Sequence, residues 1–127
     1  MIRLATILLL LTAFAEARFT ESDISTALAK AKKAHRPVFV DAYASWCAPC
    51  KELRKTTFKN KRVAAYLNNH YINAAIDVEK GNGMQFAEKY HIESYPTLLL
   101  IDENGKEVKR IEGFVDATEL AQKLDMK

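Results

Sequence analysis

With 127 residues, 49% hydrophobic and 28% charged, the chain has the makeup of one soluble globular domain, which disfavours disorder. Nineteen Lys and Arg against 16 Asp and Glu leave a net charge of +3, with both signs spread along the chain, so no nucleic-acid partner is expected. Two cysteines are too few for a scaffold stapled by disulfides.

Met1 to Ala17 reads as a signal peptide ahead of a single domain over residues 18–127. Arg3 supplies a basic start, Leu4 to Phe14 an apolar run, and Ala15-Glu16-Ala17 the small-x-small form of a cleavage site. That run falls well short of the roughly 20 residues that span a bilayer, so a cleaved leader fits better than a membrane anchor. The mature chain is expected in the periplasm or secreted.

Thr20-Glu21-Ser22-Asp23 has the form of a capping box, and Ile24, Leu28 and Ala31 follow at helical spacing, predicting a helix over about Ser22 to Ala34. His35-Arg36-Pro37 ends it. Val38 to Tyr43 is a short, nearly continuous apolar run, as in a strand covered on both faces, and a single acid, Asp41, interrupts it. From Ala48 a helix runs to Thr56 or Thr57, with Pro49 tolerable in its first turn. Asn60 can cap a second short helix whose apolar face is Val63, Ala64 and Leu67. Tyr71 to Asp77 is the next strand, Gly81-Asn82-Gly83 a loop, Met84 to Tyr90 a helix and Thr97 to Ile101 a buried strand. Asn104-Gly105 signals a hairpin that returns Glu107 to Glu112 antiparallel, and a last helix covers about Asp116 to Leu124. Strands separated by helices are expected to pair in parallel through right-handed crossovers, with the hairpin adding an antiparallel edge. The α/β fold class follows, with a mixed central sheet of about four strands flanked by helices.

Both cysteines lie in Trp46-Cys47-Ala48-Pro49-Cys50-Lys51, where a strand gives way to a helix. A bridge between them would close a tiny loop and remove little freedom from the unfolded chain, so the pair is a poor staple and a better reagent. A thiol attacks as its thiolate, and the N–H groups of a first helical turn favour negative sulfur at Cys47. Lowering a thiol pKa from about 8.5 to about 7 raises the thiolate fraction roughly sixteenfold at pH 7 but lowers nucleophilicity about fivefold. The larger gains are a better leaving group and a second thiol, Cys50, held one turn away. Asp41 is either a buried acid able to serve Cys50 as a base, or an edge residue exposed or paired with a lysine; spacing alone leaves both open. Lys51, Arg54, Lys55, Lys59, Lys61 and Arg62 form a local basic excess, read as a solvated helix face rather than a docking patch for acidic partners.

Val40 to Lys51, followed by Tyr95-Pro96-Thr97 and Gly113, resembles the thioredoxin family: the Trp-Cys-x-Pro-Cys-Lys box, the acid ahead of it and the later Pro-Thr occur in order. The resemblance covers Val38 to Leu124 and implies a thioredoxin fold. It assigns Cys47 and Cys50 to the redox dithiol, Asp41 to the buried acid acting on Cys50, and Pro49 and Lys51 to support of the pair. It also implies a cis Tyr95-Pro96 bond, and a substrate surface built from Trp46, Tyr95, Pro96 and Gly113, on which an extended segment pairs with the backbone before the proline. Lys51 to Phe58 lacks the helix-kinking proline of cytosolic thioredoxins and is more similar to the periplasmic thioredoxin-like domain of the disulfide-reductant transporter DsbD. Asn73 stands where many thioredoxins carry a lysine near the buried acid, and Tyr95 replaces a smaller residue.

Two other readings compete. A zinc site needs more ligands than one Cys-x-x-Cys, and His35, His70 and His91 lack ligand spacing, so no metal is expected. A non-catalytic polypeptide-binding or chaperone module would keep the fold but has no use for intact cysteines. The expected protein is an exported thiol-disulfide oxidoreductase, monomeric and without a cofactor beyond a redox-active Cys47–Cys50 disulfide. Pro49 between the cysteines resembles reducing thioredoxins, so the partners are client proteins with disulfides or thiols and a membrane or periplasmic electron donor.

Overall fold

The computed structural model describes residues 16–127, and the leader reading, apart from Glu16 and Ala17, lies outside them. Five strands and five helices follow in the order β1 (Thr20–Glu21), α1 (Ile24–Ala34), β2 (Val38–Tyr43), α2 (Ala48–Lys55), α3 (Lys61–His70), β3 (Ile72–Asp77), α4 (Gly83–Lys89), β4 (Thr97–Ile101), β5 (Glu107–Glu112) and α5 (Ala117–Lys123), with a 3-10 turn at Thr57–Lys59 between α2 and α3. Among the described residues no helix is long and apolar enough to cross a membrane.

The strands form one mixed sheet in the order β1-β3-β2-β4-β5. It has five strands rather than about four, because Thr20–Glu21 pairs in parallel with Ala74 and Ala75 of β3 instead of opening α1. The cap of α1 is Asp23, whose carboxylate accepts from the Thr26 N–H, so the helix starts two residues later than its sequence suggests.

A second expectation fails on direction. β2 and β3 are parallel, but β4 runs antiparallel to β2 although α4 separates it from β3. A seven-residue helix is about 10 Å long, and a six-residue strand about 20 Å. Thus α4 is too short to return the chain to the start of β3, and β4 begins near the end where β3 stopped. The β4–β5 hairpin is antiparallel as its turn requires, with an irregularity at Leu100 and Ile101.

β2 lies between β3 and β4, and its alternation divides the core. Val38, Val40 and Ala42 face α1 and α4, joining Ala27, Ala31, Ile76, Phe86 and Leu99. Phe39 faces α2, α3 and α5, joining Leu53, Phe58, Leu67, Leu98 and Leu120. Asp41, two residues on from Phe39, shares that second face and is therefore covered by helices.

Local signals fix the helix that follows the redox segment. Asn60 caps α3, accepting from the N–H groups of Arg62 and Val63 at 3.1 Å each. Asn60→Ala is expected to lower stability by about 1 kcal/mol, the usual worth of such a cap, read as a fall in urea midpoint at unchanged slope. An unmoved midpoint would show the cap to be dispensable. At the start of α4, a Cβ on Gly83 would lie 1.8 Å from the Asp77 carbonyl oxygen, so only glycine permits this close approach.

Candidate active site

The end of β2 delivers the chain through Ala44 to Trp46 into α2, and Cys47 is the N-cap of that helix with extended backbone. Its Sγ accepts from the Cys50 N–H at 3.2 Å, so an unpaired first-turn donor points at the sulfur. Cys47 and Cys50 are joined as a disulfide, with Cα atoms 5.3 Å apart. Both are almost fully buried, in a small cluster with Ala44 against which Tyr43 and Tyr95 pack. Ala48, Pro49 and Lys51 are exposed beside them.

Pairing of Ala42 with Thr97 places the start of β4 beside the end of β2, and so brings residues half a chain apart to one end of the sheet. There the Tyr95–Pro96 peptide bond is cis, and the Pro96 carbonyl accepts from the Gly113 N–H at 2.8 Å. Gly113 has φ of +84°, which suits glycine, and open space where a Cβ would stand. Trp46 is 64% exposed; its ring meets Tyr95 edge-on at 5.9 Å, and its Nε1 donates to Glu79 Oε1 at 2.5 Å. Trp46, Tyr95, Pro96 and Gly113 thus surround one end of the molecule with the cysteines among them.

Asp41 is 1% exposed, which rules out the exposed edge position. Burial pushes its carboxyl up to about 6, and the cation of Arg54 opposes that rise. Arg54 Nε donates to Asp41 Oδ2 at 3.2 Å, while Asp41 Oδ1 is buried without a hydrogen-bond partner. The ion-pair partner is therefore an arginine of α2 and not a lysine. The reading of the basic stretch after the cysteines as a solvated face is corrected at Arg54 alone, which turns toward the buried acid, while Lys51, Lys55, Lys59, Lys61 and Arg62 are exposed. Asn73, in turn, sits opposite Phe39 and directs its amide to the Leu67 carbonyl at 3.2 Å. The cation at the buried acid comes from a helix, not from the position where a lysine is missing.

Arg54 and Glu79 are the two site residues that sequence reasoning missed. Arg54 does lie four residues after Cys50, on the same helix face as that buried thiol, which was the available signal. Glu79 carries no local signal, since only the turn after β3 brings it to Trp46. Among the described residues no group of three or more His, Cys, Asp or Glu could hold a metal ion.

The family model described as a thioredoxin-like domain matches residues 24–127. The chain belongs to the thioredoxin-like domain family. A solved structure of a candidate disulphide-isomerase from Bacteroides thetaiotaomicron is 40% identical to this thioredoxin-like domain, with a TM-score of 0.79 over 88% of this chain and 93% of that one. The reduced C-terminal domain of DsbD from Neisseria meningitidis matches at 26% identity and a TM-score of 0.67, over 77% and 88% of the two chains. The thiol:disulfide interchange protein DsbD of Photorhabdus laumondii is 34% identical over 96 residues, 73% of this chain. This thioredoxin-like domain spans 17% of the length of that curated relative. The architecture is the thioredoxin fold, and the likeness extends to DsbD.

Proposed function

We propose that the chain is an exported thiol-disulfide oxidoreductase that reduces protein disulfides through a mixed disulfide. The observation that carries this reading is Cys47 at the head of α2, its sulfur held by the Cys50 N–H with the second thiol one turn away. In the reduced protein the Cys47 thiolate attacks one sulfur of a client disulfide. A Cys47–client bond forms, the client S–S bond breaks, and the departing client sulfur leaves as a thiolate that takes up a proton. Cys50 then loses its proton to Asp41, and its thiolate attacks Cys47 Sγ. The second client sulfur departs with the bonding electron pair, and the Cys47–Cys50 disulfide remains. Two electrons have passed to the client, and an external dithiol must return them; relatives named as disulfide interchange proteins support a donor of that kind. Trp46, Tyr95, Pro96 and Gly113 hold the client segment, Pro49 and Lys51 flank the pair, and the Met1 to Ala17 leader accounts for export.

Cys50→Ala removes the resolving thiol and is expected to accumulate the Cys47–client mixed disulfide, seen as a reductant-sensitive adduct by mass. Absence of any adduct with a reducible client such as insulin would reject the two-step scheme. The redox potential of the wild-type pair is expected well below about −120 mV, the value of a strong periplasmic oxidant, and a value at that level would reverse the proposed direction.

A further inference from the structure

Arg54 is embedded in a cluster that joins the surface to the buried acid. Its guanidinium carbon lies 3.8 Å from the centre of the Tyr43 ring, and its Nη2 is buried without a hydrogen bond, 3.9 Å from Glu21 Oε1. The Tyr43 hydroxyl donates to the Glu21 carboxylate, with both carboxylate oxygens at 2.9 Å. Glu21 is held there by β1, the edge strand that the sequence did not reveal, through its pairing with Ala75. Around Asp41 the neighbouring strands offer only apolar partners, Ala75 on β3 and Leu98 on β4. The charged and titratable groups of this cluster are therefore Arg54 from α2, Tyr43 on Asp41's own strand, and Glu21 from β1, while Cys47 and Cys50 of the same helix are joined as a disulfide.

We propose that Arg54 is a positioning residue for the exchange reaction: it holds the Asp41 carboxylate through Oδ2, leaves Oδ1 to take the Cys50 proton, and is itself restrained by Glu21 and Tyr43. The inference rests on the reading of Asp41 as the base for Cys50. Its physical content is a pair of opposing influences. A cation against a buried carboxylate favours the ionised form, and an anion beside that cation weakens the effect. A guanidinium suits the task because it is planar, stacks on an aromatic face and keeps its orientation while donating, whereas an ammonium offers only the charge. In the step itself the Cys50 S–H bond breaks, the proton passes to Asp41 Oδ1, and the sulfur keeps the electron pair with which it attacks Cys47. No electrons pass through Asp41 or Arg54, and Asp41 returns the proton to the departing client thiolate or to water.

The test uses the full chain in its oxidised form with 13C-labelled aspartate carboxyls, following the Asp41 resonance, assigned by its loss in Asp41→Asn, against pH. Arg54→Met is expected to move the Asp41 midpoint up by about one unit or more, a tenfold or greater rise in proton affinity. Arg54→Lys is expected to lie closer to wild type than Arg54→Met, and Glu21→Gln to move the midpoint down. Shifts of opposite sign at Arg54 and Glu21 are not what loosened packing would produce. An unmoved midpoint in Arg54→Met, a shift of the same sign in Glu21→Gln, or a lysine variant no nearer to wild type would each overturn the proposal. Should Arg54→Met fail to fold, the lysine variant and the change at Glu21, whose side chain is 62% exposed, decide it. The pH profile of mixed-disulfide resolution is measured on the same variants and is expected to follow the midpoints. Wild-type resolution in Asp41→Asn would overturn the reading of Asp41 as base, while the midpoints still report whether Arg54 controls that carboxyl.

Discussion

Cys47→Ser is expected to reduce insulin disulfides no faster than the uncatalysed background, a loss of about a thousandfold or more, which is the scale on which removal of an enzyme nucleophile acts. The reason lies in the chemistry of the N-cap. A serine at position 47 would still cap α2, since Ser is among the best capping residues, so the fold and the Cys50 N–H contact survive. What disappears is a polarisable nucleophile and, with it, a sulfur able to share a bond with the client. Cys50 cannot take over, because it lies inside the first turn of α2 while position 47 stands at its head as the N-cap. The measurement is insulin precipitation with dithiothreitol as donor, with circular dichroism to show that the variant folds. Activity equal to wild type would reject the mechanism and would favour a fold used for holding polypeptides.

Asp41→Asn is expected to do two opposite things. The folded state holds the Asp41 proton up to about pH 6, whereas an aspartate in the unfolded chain releases it near pH 3.9. Folded protein therefore binds the extra proton between those values, and the associated stabilisation, complete below about pH 4, is lost as pH rises through 6. Above that range the wild type carries a buried anion at a cost of about 3 kcal/mol, from roughly two pKa units at 1.36 kcal/mol each. Asparagine has no charge to bury, so the variant should gain up to about 3 kcal/mol over wild type at pH 7.5 and nothing at pH 3.5. Urea unfolding of both proteins at the two pH values checks this, and a gain independent of pH would show that charge burial is not its source.

The same substitution should slow resolution of the mixed disulfide and leave initial attack by Cys47 nearly unchanged. A thiol of ordinary pKa is about 3% thiolate at pH 7, so loss of the base can slow the Cys50 step by about thirtyfold before the residual thiolate carries it. Stopped-flow measurement of both phases separates the effects. Resolution at the wild-type rate would remove Asp41 from the chemistry and leave it as a stability defect with no return. The cost of keeping this acid is thus an argument for its use, since a neutral isostere would fold better.

The sequence was most legible where a signal is local. The nearly continuous apolar run of Val38 to Tyr43 marks a doubly covered strand, Asn60 announces α3, and Asn104-Gly105 closes a hairpin, because each depends on residues close together along the chain. The cysteine pair and Pro96 were legible as a spaced motif, although only the Ala42–Thr97 register makes them neighbours. What was not legible depends on approach across the fold. Thr20–Glu21 is too short to show a period and becomes a strand only because β3 has a free edge. The direction of β4 follows from the length of α4 and not from its existence. Arg54 looked like one more cation among six because composition cannot say which long side chain turns inward to meet a buried charge.

The hairpin separates its two ends by function as well as by distance. β4 begins beside Pro96 and finishes at the Asp102–Lys106 turn, so five residues of strand, about 17 Å, lie between the thiols and the exposed Asn104. For anyone wishing to fix this protein to an electrode or a resin, Asn104 is the natural point of tether. Anchored there, the molecule turns its sulfur atoms away from the support and toward whatever flows past.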